Sequence, residues 1–114
     1  MHDADAFAAE WIAAWNAHDL ERILSHYAED IVFLSPVAAR VTGSGRVEGK
    51  TALRAYWGTA FTRSPDLKFV PERVYTGDGA LTIAYRNHRG QFAAETFAFG
   101  PDGKVVFAAA CYTS

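Results

Sequence analysis

LKFVPERVYTGDGALTIAYRNHRGQFAAETFAFGPDGKVVFAAACY, residues 67–112, is the stretch that decides the fold. Turn residues cut it into pieces. Thr76-Gly77-Asp78-Gly79 and Gly100-Pro101-Asp102-Gly103 read as hairpin turns, and Asn87 to Gly90 turns the chain between them. What remains is rich in β-branched and aromatic residues: Leu67 to Tyr75, Ala80 to Arg86, Gln91 to Phe99 and Lys104 to Tyr112. Leu81, Ile83 and Tyr85 share one face through the two-residue period of a strand. Pro71 has no N–H to give a ladder, so it marks a bulge or an edge. The stretch is a four-strand antiparallel meander.

Everything before it is mainly helical. Phe7, Trp11 and Trp15 recur at i, i+4 and i+8, and Ala8 and Ile12 widen the stripe. Asp3 or Asp5 can cap this helix, where a negative charge suits the N-terminal dipole. Asn16-Ala17-His18-Asp19 breaks the pattern. Asp19 then caps a second helix with Leu20, Ile23, Leu24 and Tyr27 on one face and His26 on the polar side. Ile31 to Leu34 is a short strand stopped by Ser35-Pro36. Residues 36–49, with Gly43, Gly45 and Gly49, read as a long connection that is either mobile or functional. A third helix carries Leu53, Tyr56, Trp57, Ala60 and Phe61 on one face. Helices on one side of an antiparallel sheet give an α+β domain.

The 114 residues fit one domain, 1–114, and the 50% apolar content supplies a core without staples. A net charge of −2 with no Lys/Arg stripe argues against a nucleic-acid partner. The apolar runs, such as Val105 to Cys111, are too short to span a bilayer. The start Met1-His2-Asp3-Ala4-Asp5 is acidic, unlike a signal peptide, so a cytoplasmic protein is expected. The single cysteine, Cys111, sits in an Ala-rich run and reads as a buried, inert thiol. No histidine spacing resembles a metal site, and no cofactor is implied. Gly43 to Thr51 briefly resembles a phosphate-binding loop, but Ser44 stands where that motif needs glycine.

The order of elements and several short runs resemble the nuclear transport factor 2-like superfamily, nearest its SnoaL-like and ketosteroid-isomerase-like branch. The runs are Trp15-Asn16-Ala17-His18-Asp19-Leu20, Tyr27-Ala28-Glu29-Asp30, Ser35-Pro36, Val47-Glu48-Gly49-Lys50 and Phe99-Gly100-Pro101-Asp102-Gly103-Lys104-Val105. The resemblance implies a cystatin-like cone: a strongly curved antiparallel sheet on three N-terminal helices, enclosing a mainly apolar pocket for a small hydrophobic or polycyclic ligand. It also implies a homodimer through the outer sheet face. Such a dimer would explain why Ala108, Ala110 and Tyr112 alternate with the equally apolar Phe107, Ala109 and Cys111.

Related isomerases use a Tyr on helix one, an Asp before a Pro and a protonated Asp on a late strand. Trp11, Ser35 and Glu95 stand at those positions here. A Trp N–H donates but does not titrate, and a hydroxyl has little basicity, so steroid isomerisation is not expected. Glu95 is the candidate catalytic residue. It shares a strand face with Ala93, Phe97 and Phe99, where lost hydration would raise its pKa, unless it pairs with an Arg or points to solvent. Candidate ligand-binding residues are Trp11, Trp15, Ser35, Tyr56 and Trp57, together with Tyr85, Asn87, Phe97 and Tyr112. His88 lies in a hairpin turn, where solvent is the default, and a proton shuttle near the cone mouth is the lesser reading. Two functions remain open. One is an acid–base enzyme of isomerase, cyclase or hydrolase type. The other is a non-catalytic ligand-binding or dimerising module. An open cavity with Glu95 in its wall and no Arg in reach favours the enzyme.

Overall fold

A computed structural model describes residues 3–113, and Met1 and His2 of the acidic start lie outside them. Helix α1 (Ala4–Asn16) begins where Asp3 Oδ1 accepts the Ala6 N–H at 3.1 Å. Its stripe Phe7, Ala8, Trp11, Ile12 and Trp15 is buried, as the 3.6-residue period requires. Helix α2 (Leu20–Leu24) is capped by Asp19, which accepts from Arg22 N–H. It stops a turn earlier than its stripe suggested. Tyr27 instead opens strand β1 (Tyr27–Leu34), because its bulky ring is buried against the sheet. His26 therefore sits between elements, with Nε2 3.2 Å from Glu10 Oε2.

The expected long connection is ordered. Ser35 ends β1 and also starts helix α3 (Pro36–Thr42), its Oγ accepting the Val37 N–H at 3.1 Å. Proline at the first helical position loses no needed hydrogen bond. Gly43, at φ 85°, closes α3 in the left-handed region, and its N–H donates to Ala39 O. Strand β2 (Arg46–Glu48) then pairs antiparallel with β1, Val47 opposite Phe33. Helix α4 (Lys50–Arg63) follows, burying Leu53, Tyr56 and Trp57. Four helices thus precede the meander, where three were expected.

The meander is as read: β3 (Val70–Gly77), β4 (Ala80–Arg86), β5 (Phe92–Phe99) and β6 (Val105–Tyr112). Pro71 lies on the edge strand, beside a register shift before Arg73. The six strands form one curled sheet in the order β2-β1-β6-β5-β4-β3. One pair departs from the antiparallel expectation: β1 runs parallel to β6, because the chain passes through α3, β2 and α4 before the meander returns.

The Trp15–Leu20 run stitches these layers together. Asn16 Nδ2 donates to Phe69 O at 2.9 Å, and Phe69 N–H donates back to Asn16 Oδ1 at 2.7 Å. His18, at φ 54°, places Nε2 2.8 Å from Leu67 O. These bonds span about fifty residues of chain and fix the start of β3 against the end of α1. On β6, Ala108 and Ala110 face inward, so alternation turns Cys111 outward. The thiol is exposed, which corrects the reading of a buried one.

Candidate functional site

Between α1, α3, α4 and the concave sheet face lies a cavity of about 140 Å³. Seven of the expected residues line it: Trp15 from α1, Tyr56 and Trp57 from α4, Tyr85 and Asn87 from β4 and its turn, Glu95 from β5 and Tyr112 from β6. The sheet register explains the grouping. Glu95 faces Ile83 and Ala110 across its two neighbours, and Tyr85 and Tyr112 both flank Ala93. All of these side chains point to the inner face.

Glu95 is the candidate catalytic residue. It is 4% exposed. Tyr85 donates its hydroxyl to Glu95 Oε1 at 3.2 Å, while Oε2 is buried without a partner. Among the described residues no Arg, Lys or His makes an ion pair with it. Burial raises its pKa to about 8, and the Tyr85 hydrogen bond offsets only part of that. Because Tyr85 occupies Oε1 as a donor, the carboxyl proton belongs on Oε2, the oxygen left free. Burial raises the Tyr85, Tyr112 and Tyr56 hydroxyls too, and the nearby Glu95 charge adds to it.

Three expected residues lie behind the wall. Trp11 is fully buried, and its indole N–H is spent on Tyr27 Oη at 3.0 Å, so it has nothing left to give a ligand. Phe97 packs edge-on against Phe7 and Trp11 at the closed end of the core. Ser35 caps α3 and lies against Tyr56 and Tyr112. Asn87 is on the wall, but its amide is committed to the turn: Oδ1 accepts from Arg89 N and Gln91 N, and Nδ2 donates to Gln91 Oε1.

The structure adds Phe33, Phe69, Arg40, His88, Arg89 and Gln91 to the wall. Arg40 comes from α3, the segment read as a loop. His88 comes from the β4–β5 turn, and its side chain is only 14% exposed, against the solvent position expected for it. Trp15 Nε1, His88 Nδ1 and Glu95 Oε2 are the buried side-chain polar atoms without a partner among the described residues. All three belong to residues of this one cavity. Unmet polar groups cost about 1–3 kcal/mol each, so their coincidence makes this cavity the candidate site.

Comparison with known proteins agrees with this architecture. A solved SnoaL-like protein of unknown function from Burkholderia thailandensis E264 is 44% identical over 100% of this chain and 99% of its own, with a TM-score of 0.94. TerC, co-crystallised with polyporic acid, is 16% identical over 97% of this chain and 92% of its own, with a TM-score of 0.79. SalBIII, an epoxide hydrolase/cyclase-like enzyme of pyran ring formation in salinomycin, is 19% identical over 96% and 90%, with a TM-score of 0.76. At such identities the last two share the fold alone. Among curated proteins none matches. The SnoaL-like domain model matches residues 8–112, which takes in every cavity residue, and the chain belongs to the SnoaL-like domain family.

Proposed function

We propose that this chain is an acid–base enzyme acting on a compact, one-ring carbonyl compound, with Glu95 as proton donor. The observation that carries this is the buried Glu95 carboxyl, one oxygen held by Tyr85, the other unpartnered on the cavity wall. With a pKa of about 8 it is mostly protonated at neutral pH, the form that donates to a carbonyl oxygen. The Trp15 N–H is a second free donor on the same wall. Phe33, Trp57, Phe69 and Tyr56 supply an aromatic lining that excludes water.

Size narrows the substrate. An apolar cavity of ~150 Å³ holds one benzene ring. The cavity here is about 140 Å³, which suits one ring and not a polycyclic body. Arg40 and Arg89 also lie on the wall, and neither makes an ion pair among the described residues. They suit an acidic substituent reaching toward them. SalBIII, which has the same fold, acts in pyran ring formation, and a cyclic substrate is in keeping with that.

The test uses phenylpyruvate, which has one ring, an enolisable methylene and a carboxylate. Deuterium uptake at the methylene is followed by proton NMR in D₂O. The wild-type protein should accelerate uptake over buffer, and Glu95→Gln should lose about 100-fold or more of that rate. Tryptophan quenching should report similar binding for both. The rate should fall as pH rises through about 8, where the donor ionises. Binding without exchange makes the chain a binding module, and unchanged exchange in Glu95→Gln removes Glu95 from the chemistry.

A second copy of the chain is the proposed partner of the outer sheet face. Phe92 and Phe107 are 50% and 37% exposed there, beside Ala94, Ala109 and Cys111. Burying this face on a copy removes apolar area from water. Light scattering should find a dimer, and Phe107→Lys should shift it to monomer. A monomeric wild type at tens of micromolar would overturn the pairing.

A further inference from the structure

Glu95 supplies one proton, but an enolisation needs a second group to take one away. Among the described residues His88 is the one imidazole on the cavity wall. Its Nδ1 is buried with no partner, and its Nε2 lies 3.9 Å from Asp66 Oδ1. That distance is too long for a hydrogen bond but close enough for charge to act. A carboxylate beside Nε2 favours the tautomer that keeps its hydrogen there, which leaves Nδ1 with a bare lone pair. The Asn87 side chain holds the turn that carries the ring, through its bonds to Arg89 N and Gln91 N. Among the described residues, Arg40, Lys68, Arg86, Arg89 and Glu95 are the other charged or titratable groups bordering the pockets His88 lines, besides Asp66 and the Tyr56, Tyr85 and Tyr112 hydroxyls.

We infer that His88 is the proton-accepting catalytic residue of this cavity, with Asp66 as its positioning residue. This rests on the acid–base reading of Glu95 and completes it. His88 Nδ1 takes a proton from the carbon beside the carbonyl, and the C–H electron pair becomes the enol C=C bond. The carbonyl π pair moves to oxygen, which takes the Glu95 Oε2 proton. In the return step the imidazolium gives its proton to the same carbon or to a conjugated one, and the Glu95 carboxylate takes its proton back from the enol hydroxyl. Atoms and charges balance without any oxidant or cofactor. The wall is thereby divided, with a donor on β5 and an acceptor in the β4–β5 turn.

The experiment pairs a spectroscopic readout with a kinetic one. Long-range ¹H–¹⁵N spectra of the histidine-labelled protein, assigned by His88→Gln, report the tautomer at pH 7.5. The wild type should show hydrogen on Nε2, and Asp66→Asn should move the ring toward a mixed tautomer. Deuterium uptake by phenylpyruvate should fall about 100-fold in His88→Gln and about tenfold in Asp66→Asn, in kcat and not KM. Both changes lie in turns, Asp66 exposed and His88 mostly covered, and circular dichroism checks that the variants fold. A wild-type ring protonated on Nδ1, or His88→Gln at the wild-type rate, overturns the role of His88. A tautomer unmoved by Asp66→Asn overturns that of Asp66. A wild type no faster than buffer overturns the acid–base reading itself, and His88 with it. Loss in His88→Gln with a wild-type rate in Glu95→Gln overturns Glu95 alone.

Discussion

Glu95→Gln should stabilise the protein at neutral pH and leave it unchanged in acid. The carboxyl titrates near 4.5 when solvated and near 8 in the fold. Below pH 4.5 both states hold the proton, and stability is fully present. Between 4.5 and 8 only the folded state holds it, so stability falls by about 1.4 kcal/mol for each pH unit. The loss is about 3 kcal/mol at pH 7 and about 4 kcal/mol at pH 8, levelling off at ~5 kcal/mol above that. A typical domain has about 5–15 kcal/mol in total, so the effect is large. Gln has nearly the same shape and still accepts from Tyr85, but it has no charge to desolvate. Urea unfolding of both proteins at half-unit steps from pH 4 to 8.5 gives the difference curve, and the other titrating groups cancel in it. Protein concentration is held constant, because association would shift both curves. The expected difference is near zero at pH 4 and grows in favour of Gln at about 1.4 kcal/mol per unit. A flat curve would mean that water or a cation reaches the carboxyl in the folded protein. A wild type more stable than the variant at pH 7 would refute the argument outright.

Glu10 should show the opposite slope. Arg22 hydrogen-bonds it at 2.6 Å and lowers its pKa to about 2, despite some desolvation. Its contribution is present above 4.5 and is lost as pH falls toward 2. The pair is about one-third exposed, so screening limits it to about 1 kcal/mol. Urea midpoints of Glu10→Gln against wild type at pH 7 and pH 2.5 check this, and equal deficits at both would refute it. Asn16→Ala should cost about 2–3 kcal/mol at any pH, because it removes two bonds to Phe69 and leaves part-buried backbone groups unpaired. Denaturant unfolding measures it, and a cost under ~0.5 kcal/mol would mean that water replaces the amide.

The fold was legible wherever a pattern repeats. The meander follows from three turns and strand alternation, and α1 from a stripe that is buried as read. Errors came where one residue serves two elements. Ser35-Pro36 ends a strand and starts a helix with the same side chains, so glycine density beyond it suggested a loop. Tyr27 fits the α2 stripe and the β1 pattern equally well. Trp11 and Trp15 are equivalent to any periodicity argument, being one turn apart on one face. What separates them is tertiary: Tyr27 takes the Trp11 N–H, while Trp15 borders the space left by α4 and the Leu67 and Phe69 side chains. A proton-shuttling His88 near the cone mouth was the lesser reading of its turn for the same reason. A turn residue defaults to solvent, and only the folded turn shows its ring on the wall.

Glu95 is also where stability and chemistry separate. Its cross-strand neighbours are Ile83 and Ala110, and its strand neighbours on the same face are Ala93 and Phe97. A Leu in that setting would bury apolar area without desolvating a charge, so nothing in the packing calls for a carboxyl. The same holds for a His whose Nδ1 finds no partner and a Trp whose N–H finds none. Each would be met more cheaply by Phe in a cavity kept only for folding. Three such costs, scattered over a surface, would be unremarked. Gathered on one wall, opposite an aromatic lining with room for one ring, they support the proposed acid–base site, which such a cost would preorganise for a polar reaction rather than for its own stability.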